Sequence, residues 1–167
     1  MNTSELIISK QIEWAKNKGL QLIGSAGDRG RKVYTTRIDD NLFQPLNEKS
    51  KKEIDDGDGG ELKSKAGHTA KMQALHSSSA LGVNLFDYWR EVVDCSLLFS
   101  ACGLSRAGSQ LSGEMKFEHK FPIDGHFQYA PNLDVVFFPS QPHKLKVFAI
   151  ECKFTEAYSS RKHGGLD

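Results

Sequence analysis

Two apolar runs of strand length constrain this chain most. Residues 133–138 read Leu-Asp-Val-Val-Phe-Phe and residues 147–154 read Val-Phe-Ala-Ile-Glu-Cys-Lys-Phe. β-Branched and aromatic residues of this density favour strands, and the intervening residues 139–144, with Pro139 and Pro142, read as a turn. Yet each run carries charge, Asp134 in the first and Glu151 with Lys153 in the second. Side chains alternate along a strand, so Glu151 and Lys153 share one face while Ile150, Cys152 and Phe154 share the other. A hairpin sets Asp134 beside that pair. Two acids and a lysine on a sheet are costly to desolvate unless they bind something, such as a divalent cation.

The bulk numbers bound the problem loosely. A chain of 167 residues is one domain of ordinary size with enough length for a real core. Its net charge of +1 shows no global basic excess, which counts only weakly against a nucleic-acid partner because a nuclease needs only a local basic groove. The cysteines Cys95, Cys102 and Cys152 have no C-x-x-C spacing, which argues against zinc and for reduced thiols. Glu5 stands just ahead of the first apolar residues, and no long hydrophobic run follows. The expectation is a cytoplasmic protein without a signal peptide or membrane span.

Along the chain, Leu6, Ile7, Ile8, Ile12, Trp14 and Ala15 make a helical stripe over residues 3–18, with Ser4 as cap and Gly19 as stop. Residues 24–31 are glycine-rich with two arginines but lack the Lys-Ser/Thr ending of a phosphate-binding loop, so an ordinary surface loop is the favoured reading and a mobile loop touching a DNA backbone the alternative. Residues 47–65 are the most polar stretch, read as an exposed loop leading into a helix near Glu61. The Asp-Asp-Gly-Asp-Gly-Gly run within it lacks the spacing and closing glutamate of a calcium loop. A boundary is placed here, giving residues 1–50 as an N-terminal extension with a helix and 51–167 as the core. A helix is expected from Thr69 to about Val83 and a second over residues 85–102, with Asn84 as a turn or cap between them and Gly103 as stop. Met115, Phe117, His119 and Phe121 then alternate with Glu114, Lys116, Glu118 and Lys120, as in a strand with one wet face. Residues 155–158 read as the start of another helix.

An acid followed after a turn by Glu151-x-Lys153 resembles the PD-(D/E)xK nuclease superfamily, with its restriction-endonuclease-like fold. Gly57-Asp58-Gly59-Gly60-Glu61-Leu62, Leu75-His76-Ser77-Ser78-Ser79-Ala80-Leu81, Asn84-Leu85-Phe86 and Phe117-Glu118 add a similarity to a group of bacterial restriction-endonuclease-like proteins. The resemblance spans residues 57–156. It implies an α/β (α+β) fold in which helices pack on a mixed central sheet. Leu133 stands where the motif has proline, with Pro131 three residues before the acid. Only 14 residues follow Lys153, so the core is expected either to be truncated after its third strand or to be completed by the N-terminal segment or a partner.

The chemistry this implies is hydrolysis of DNA phosphodiester bonds with Mg²⁺, for which Mn²⁺ substitutes. Asp134 and Glu151 are the expected metal ligands, and the resemblance adds the backbone carbonyl of Cys152. Lys153 orients or helps deprotonate the attacking water, or steadies developing charge. Glu118 is the first choice for a third acid, Glu61 the second and Glu114 the third. The competing structural reading makes Glu151 and Lys153 a solvent-facing salt bridge. The competing functional reading is a non-cutting nucleic-acid-binding or assembly protein with the same fold. A homodimer is expected on symmetry grounds alone. The histidines His76, His119, His126 and His143 lack metal-ligand spacing, and residues 77–79 lack a nucleophile elbow.

Overall fold

The structure, a computed structural model, describes residues 2–57, 60–92, 95–106, 108–109, 111–122, 130–140 and 147–154. It is a mixed α and β chain. Helix α1 spans Thr3–Asn17, strands β1 (Leu22–Ile23) and β2 (Tyr34–Thr35) form a short antiparallel pair, and helix α2 spans Glu48–Asp56. Helices α3 (Ser78–Phe86) and α4 (Ser96–Ala101) precede strands β3 (Gly113–Lys120), β4 (Asn132–Pro139) and β5 (Phe148–Ile150). The three later strands form one sheet in that order, antiparallel throughout, where a mixed sheet was expected.

The sheet core is built from the alternation that marked it in sequence. Met115 and Phe117 of β3, Val135 and Phe137 of β4, Phe148 of β5 and Cys152 beyond it join Val83, Phe86 and Phe99 from the helices in one buried cluster. Phe99 lies with its ring centroid 4.3 Å from Phe137 and 5.2 Å from Phe148. The alternation along β3 holds for its first half only. Glu118 takes a left-handed backbone, φ 50°, which interrupts the extended chain between Phe117 and His119. His119 therefore meets Phe121 and Phe138 edge-on instead of joining the core.

Residues 48–56, expected as loop, are helical. Asn47 caps α2 by accepting the Lys49 N–H at 2.9 Å, and Ser50 and Ile54, one turn apart, are the buried face. One apolar residue is too little for a hydrophobic stripe; polar side chains do the docking. Glu53 receives both guanidinium arms of Arg90, whose side chain is 5% exposed. Glu53 also accepts the Phe117 N–H at 3.0 Å, occupying the outer edge of β3. Buried Asp87 accepts the Ser50 hydroxyl and the Asn47 N–H.

The other helical expectations shift in register. Asn2, not Ser4, caps α1 in a capping box with Glu5. Ile8 and Ala15 are its buried residues while Trp14 is 44% exposed. The stretch from Thr69 is a 3-10 turn at Lys71–Gln73, then a single bridge of Ala74 to Tyr34 of β2 and a turn at Leu75 and His76. α3 starts only where Ser77 caps it by accepting the Ala80 N–H. Asn84 lies inside α3, where it accepts the Phe43 N–H at 2.6 Å and donates to the Asn41 carbonyl at 3.1 Å. The expected second long helix is a 3-10 turn at Asp87–Glu91 and then α4. The helix expected from residue 155, His126, His143 and most of both interstrand turns lie outside the described residues.

The dependence of α2 on a buried charge predicts an asymmetry. Glu53→Ala removes the two-armed partner of a buried guanidinium, leaving it Asp87 at 4.0 Å, and is expected to destabilise the protein by about 3 kcal/mol in urea unfolding. Lys49→Ala, which breaks an exposed pair with Glu114, should change it by less than about 1 kcal/mol.

Candidate active site

The sheet register gathers the acids. Phe117 pairs with Val135 and His119 with Leu133, so Glu118 stands at the β3 position across from Asp134. On the other side Val135 pairs with Ile150, the last residue of β5, and Glu151 follows directly, near enough for its charge to act on Asp134. Cross-strand neighbours in an antiparallel sheet stand about 5 Å apart at Cβ. Three carboxylates thus come together, Asp134 on β4, Glu118 on β3 and Glu151 just past the end of β5.

β5 stops pairing at Ile150. Beyond it the Cys152 N–H donates to Asp134 Oδ2 at 2.5 Å, so a side chain takes the place of a strand carbonyl. Cys152 itself points into the core, and burial, ahead of the neighbouring Asp134 and Glu151 charges, pushes its thiol up to about 12. That thiol is a packing group rather than a nucleophile or a metal ligand. Glu151 and Lys153 flank it on the exposed side and pair with each other.

Electrostatics show how crowded the row is. The Glu118 carboxyl is raised above the ordinary range, first by burial and then by the charges of Asp134 and Glu61. Asp134 is raised as well, chiefly by burial, with the Cys152 N–H opposing the rise and Glu151 adding to it. Glu61, in a bend and buried, is the fourth acid felt by both. It is held by Lys71 at 3.2 Å and by the Ser79 hydroxyl at 2.9 Å. Glu114 is not brought to this place; it sits near the start of β3, paired with Lys49 at 2.8 Å and Lys116 at 3.4 Å, which lower its carboxyl.

Three supporting residues escaped the sequence. Asn132 donates to Glu118 Oε2; it lies two positions before Asp134, so period two alone would have nominated it. Lys71 and Ser79 carry no such signal, since they reach Glu61 only through the fold.

Among the described residues, no three acids, histidines or cysteines are grouped so as to hold a metal ion. Asn132, Cys152 N–H and Lys153 each occupy an oxygen of Glu118, Asp134 and Glu151 respectively. The donor set nevertheless suits a hard dication. It offers carboxylate oxygens, and the Glu118 and Asp134 carboxyls are raised first by burial and further by the neighbouring acids, both of which a bound dication would offset.

Residues 3–165 match a protein family described as Restriction Endonuclease associating with ARP. The chain belongs to this family. The match covers the acid row and also the N-terminal fifty residues, where sequence reading found no resemblance. Comparison with curated proteins finds no match, and comparison with solved structures finds none. Membership of the restriction endonuclease family supports a nuclease-like role. Among the described residues no helix is long and apolar enough to cross a membrane.

A pH dependence follows from the raised carboxyls. Glu118 and Asp134 hold protons more tightly folded than unfolded, so they favour the fold at acid pH and oppose it once ionised. That contribution is lost as pH rises from the ordinary carboxylate range through the raised folded values. With a chelator present, Glu118→Gln should therefore melt higher than wild type at about pH 8, and the gain should fade toward about pH 4. An unchanged or lowered midpoint at the alkaline end would contradict this electrostatic picture.

Proposed function

We propose that the chain is a PD-(D/E)xK endonuclease that hydrolyses DNA phosphodiester bonds with Mg²⁺, Mn²⁺ being able to replace it. The observation that carries this reading is the row of Glu118 on β3, Asp134 on β4 and Glu151 just past β5, with Lys153 paired to Glu151 at its end. Asp134 and Glu151 would hold the ion, with the Cys152 carbonyl as a further oxygen and Glu118, or Glu61 behind it, as the remaining acid. When bound, such an ion supplies Lewis acidity and a more acidic water at the phosphate.

The chain's own groups do the rest. The Cys152 N–H fixes the Asp134 carboxylate, so its free oxygen needs little reorganisation when a ligand arrives. Asn132 restrains Glu118, and Lys71 with Ser79 restrain Glu61. Lys153 rests on Glu151. In the working site this ammonium turns toward the attacking water or the phosphate oxygens, where a positive charge counters the charge developing in the transition state. The half-buried setting of Asp134 and Glu118 strengthens these electrostatic effects relative to open water.

A second reading has its own support. The Glu151–Lys153 pair and the absence of a grouped three-ligand set among the described residues are what a non-cutting DNA-binding or assembly module would show. The family's description names an association with ARP, and we carry that association to this chain under either reading. Incubation with plasmid and linear DNA separates the two. Wild type with Mg²⁺ or Mn²⁺ is expected to cut, while Asp134→Asn and Lys153→Ala each lose about 100-fold or more of the rate. Equal behaviour of wild type and both variants would reject the nuclease.

A further inference from the structure

The glycine-rich loop at residues 24–31 does not cradle a phosphate with its backbone. Four of its N–H groups are spent within the loop, Asp28 and Gly30 donating to the Ser25 carbonyl, Arg29 to Ala26 and Arg31 to Asp28. Its crossing is tight, since a Cβ on Gly24 would stand 2.4 Å from the Gly30 carbonyl oxygen. The loop is therefore a closed knob that presents side chains.

A second element is docked on that knob. Residues 65–68 form a two-residue hairpin, with Lys65 and His68 exchanging N–H···O bonds of 2.9 and 2.7 Å. Ala66 and Gly67 both have positive φ, 35° and 82°, the conformation such turns demand. The Ala26 N–H donates to the Gly67 carbonyl, the Thr69 N–H to Ser25 Oγ, and Thr69 Oγ1 to the Gly24 carbonyl. Two stretches far apart in sequence thus become one rigid ridge.

Its charge differs from that of the chain. Residues 24–32 and 61–71 contain Arg29, Arg31, Lys32, Lys63, Lys65 and Lys71 against Asp28 and Glu61, a net +4 in a chain whose total is +1. The remainder is therefore net negative. All six cations are exposed. The ridge also leads to the acid row, because Lys71 binds Glu61, whose charge is felt by Asp134 and Glu118.

We infer that this docked loop pair is the surface that grips the sugar-phosphate backbone of duplex DNA beside the acid row. The inference rests on the reading of the chain as a DNA nuclease and adds where the duplex lies. Arg29, Arg31 and Lys65 make charge contacts that carry no base information, which suits a surface whose task is to hold and register the backbone. Rigidity matters here: a preordered pair of loops loses less conformational entropy on binding than free arms of equal charge.

The test is binding of a fluorescent duplex to the full chain in chelator, where no cleavage occurs, as salt is varied. The variant Arg29→Ala/Arg31→Ala/Lys65→Ala is expected to bind about 30-fold or more weakly near 0.1 M salt, with the slope of log affinity against log salt reduced by about 2 to 3. Lys49→Ala/Lys51→Ala/Lys52→Ala on α2 removes the same charge and should bind within about 3-fold of wild type. Arg29→Lys/Arg31→Lys should retain most of the affinity, and melting curves check that each variant is folded. Undiminished binding by the loop variant, equal weakening by the α2 variant, or no binding by wild type overturns the inference. Wild type that binds through these residues but never cuts with Mg²⁺ sinks the nuclease reading and leaves this surface standing.

Discussion

The hydrogen bond from the Cys152 amide to the Asp134 carboxylate is the joint on which the site depends. It is made where β5 has ceased to pair with β4, so one acid side chain holds the following residues against the sheet. Among the described residues the β4–β5 ladder ends at Ile150, and beyond it this bond, with the buried Cys152 side chain, ties the chain carrying Glu151 and Lys153 to β4. The bond also uses one Asp134 oxygen and partly offsets the burial that raises its carboxyl. Structure and chemistry thus draw on the same group. On the inner side, Cys152 packs against α3, where a Cβ on Gly82 would stand 3.1 Å from its sulfur, so a side chain at residue 82 would require the thiol to give by a few tenths of an ångström.

The opposite margin of the sheet is secured by different means. α2 has little apolar surface and is anchored by Glu53 to Arg90 and to the Phe117 amide. That bond closes the free edge of β3 immediately before Glu118. The left-handed backbone of Glu118, the residue that departs from regular strand geometry, therefore sits between a secured edge and the Asn132 amide that holds its carboxylate. Backbone strain of this kind persists where surroundings over-determine it, and functional sites are where it collects. One acid row is consequently fixed from both sides, by α2 at β3 and by the Asp134 carboxylate at the end of β5.

Much of this was legible in the sequence, for identifiable reasons. Strand β3 announces itself through a period-two pattern that holds over its first half, and β4 through a dense run of β-branched and aromatic residues that carries Asp134, while Glu151 falls just past the end of β5. What was hidden lacked a local signal. α2 reads as a solvated loop because its packing is ionic, with Ile54 as its main apolar contact. The non-helical chain before α3 goes with the single bridge between Ala74 and Tyr34, a tertiary contact that overrides helical spacing over residues 69–77. Glu61 was legible only as one acid among several; its approach to the row depends on Lys71 and Ser79, which no spacing connects to it.

The central claim is that the acid row is a cation site serving phosphodiester chemistry. Its most direct measurement is anomalous diffraction from crystals of the full chain soaked in Mn²⁺. The account predicts a peak bonded to oxygens of both Asp134 and Glu151 at roughly 2.1–2.3 Å, with Lys153 drawn off Glu151. A fully occupied Mn²⁺ elsewhere with none at this row, or an undisturbed Glu151–Lys153 pair at saturating Mn²⁺, would contradict it.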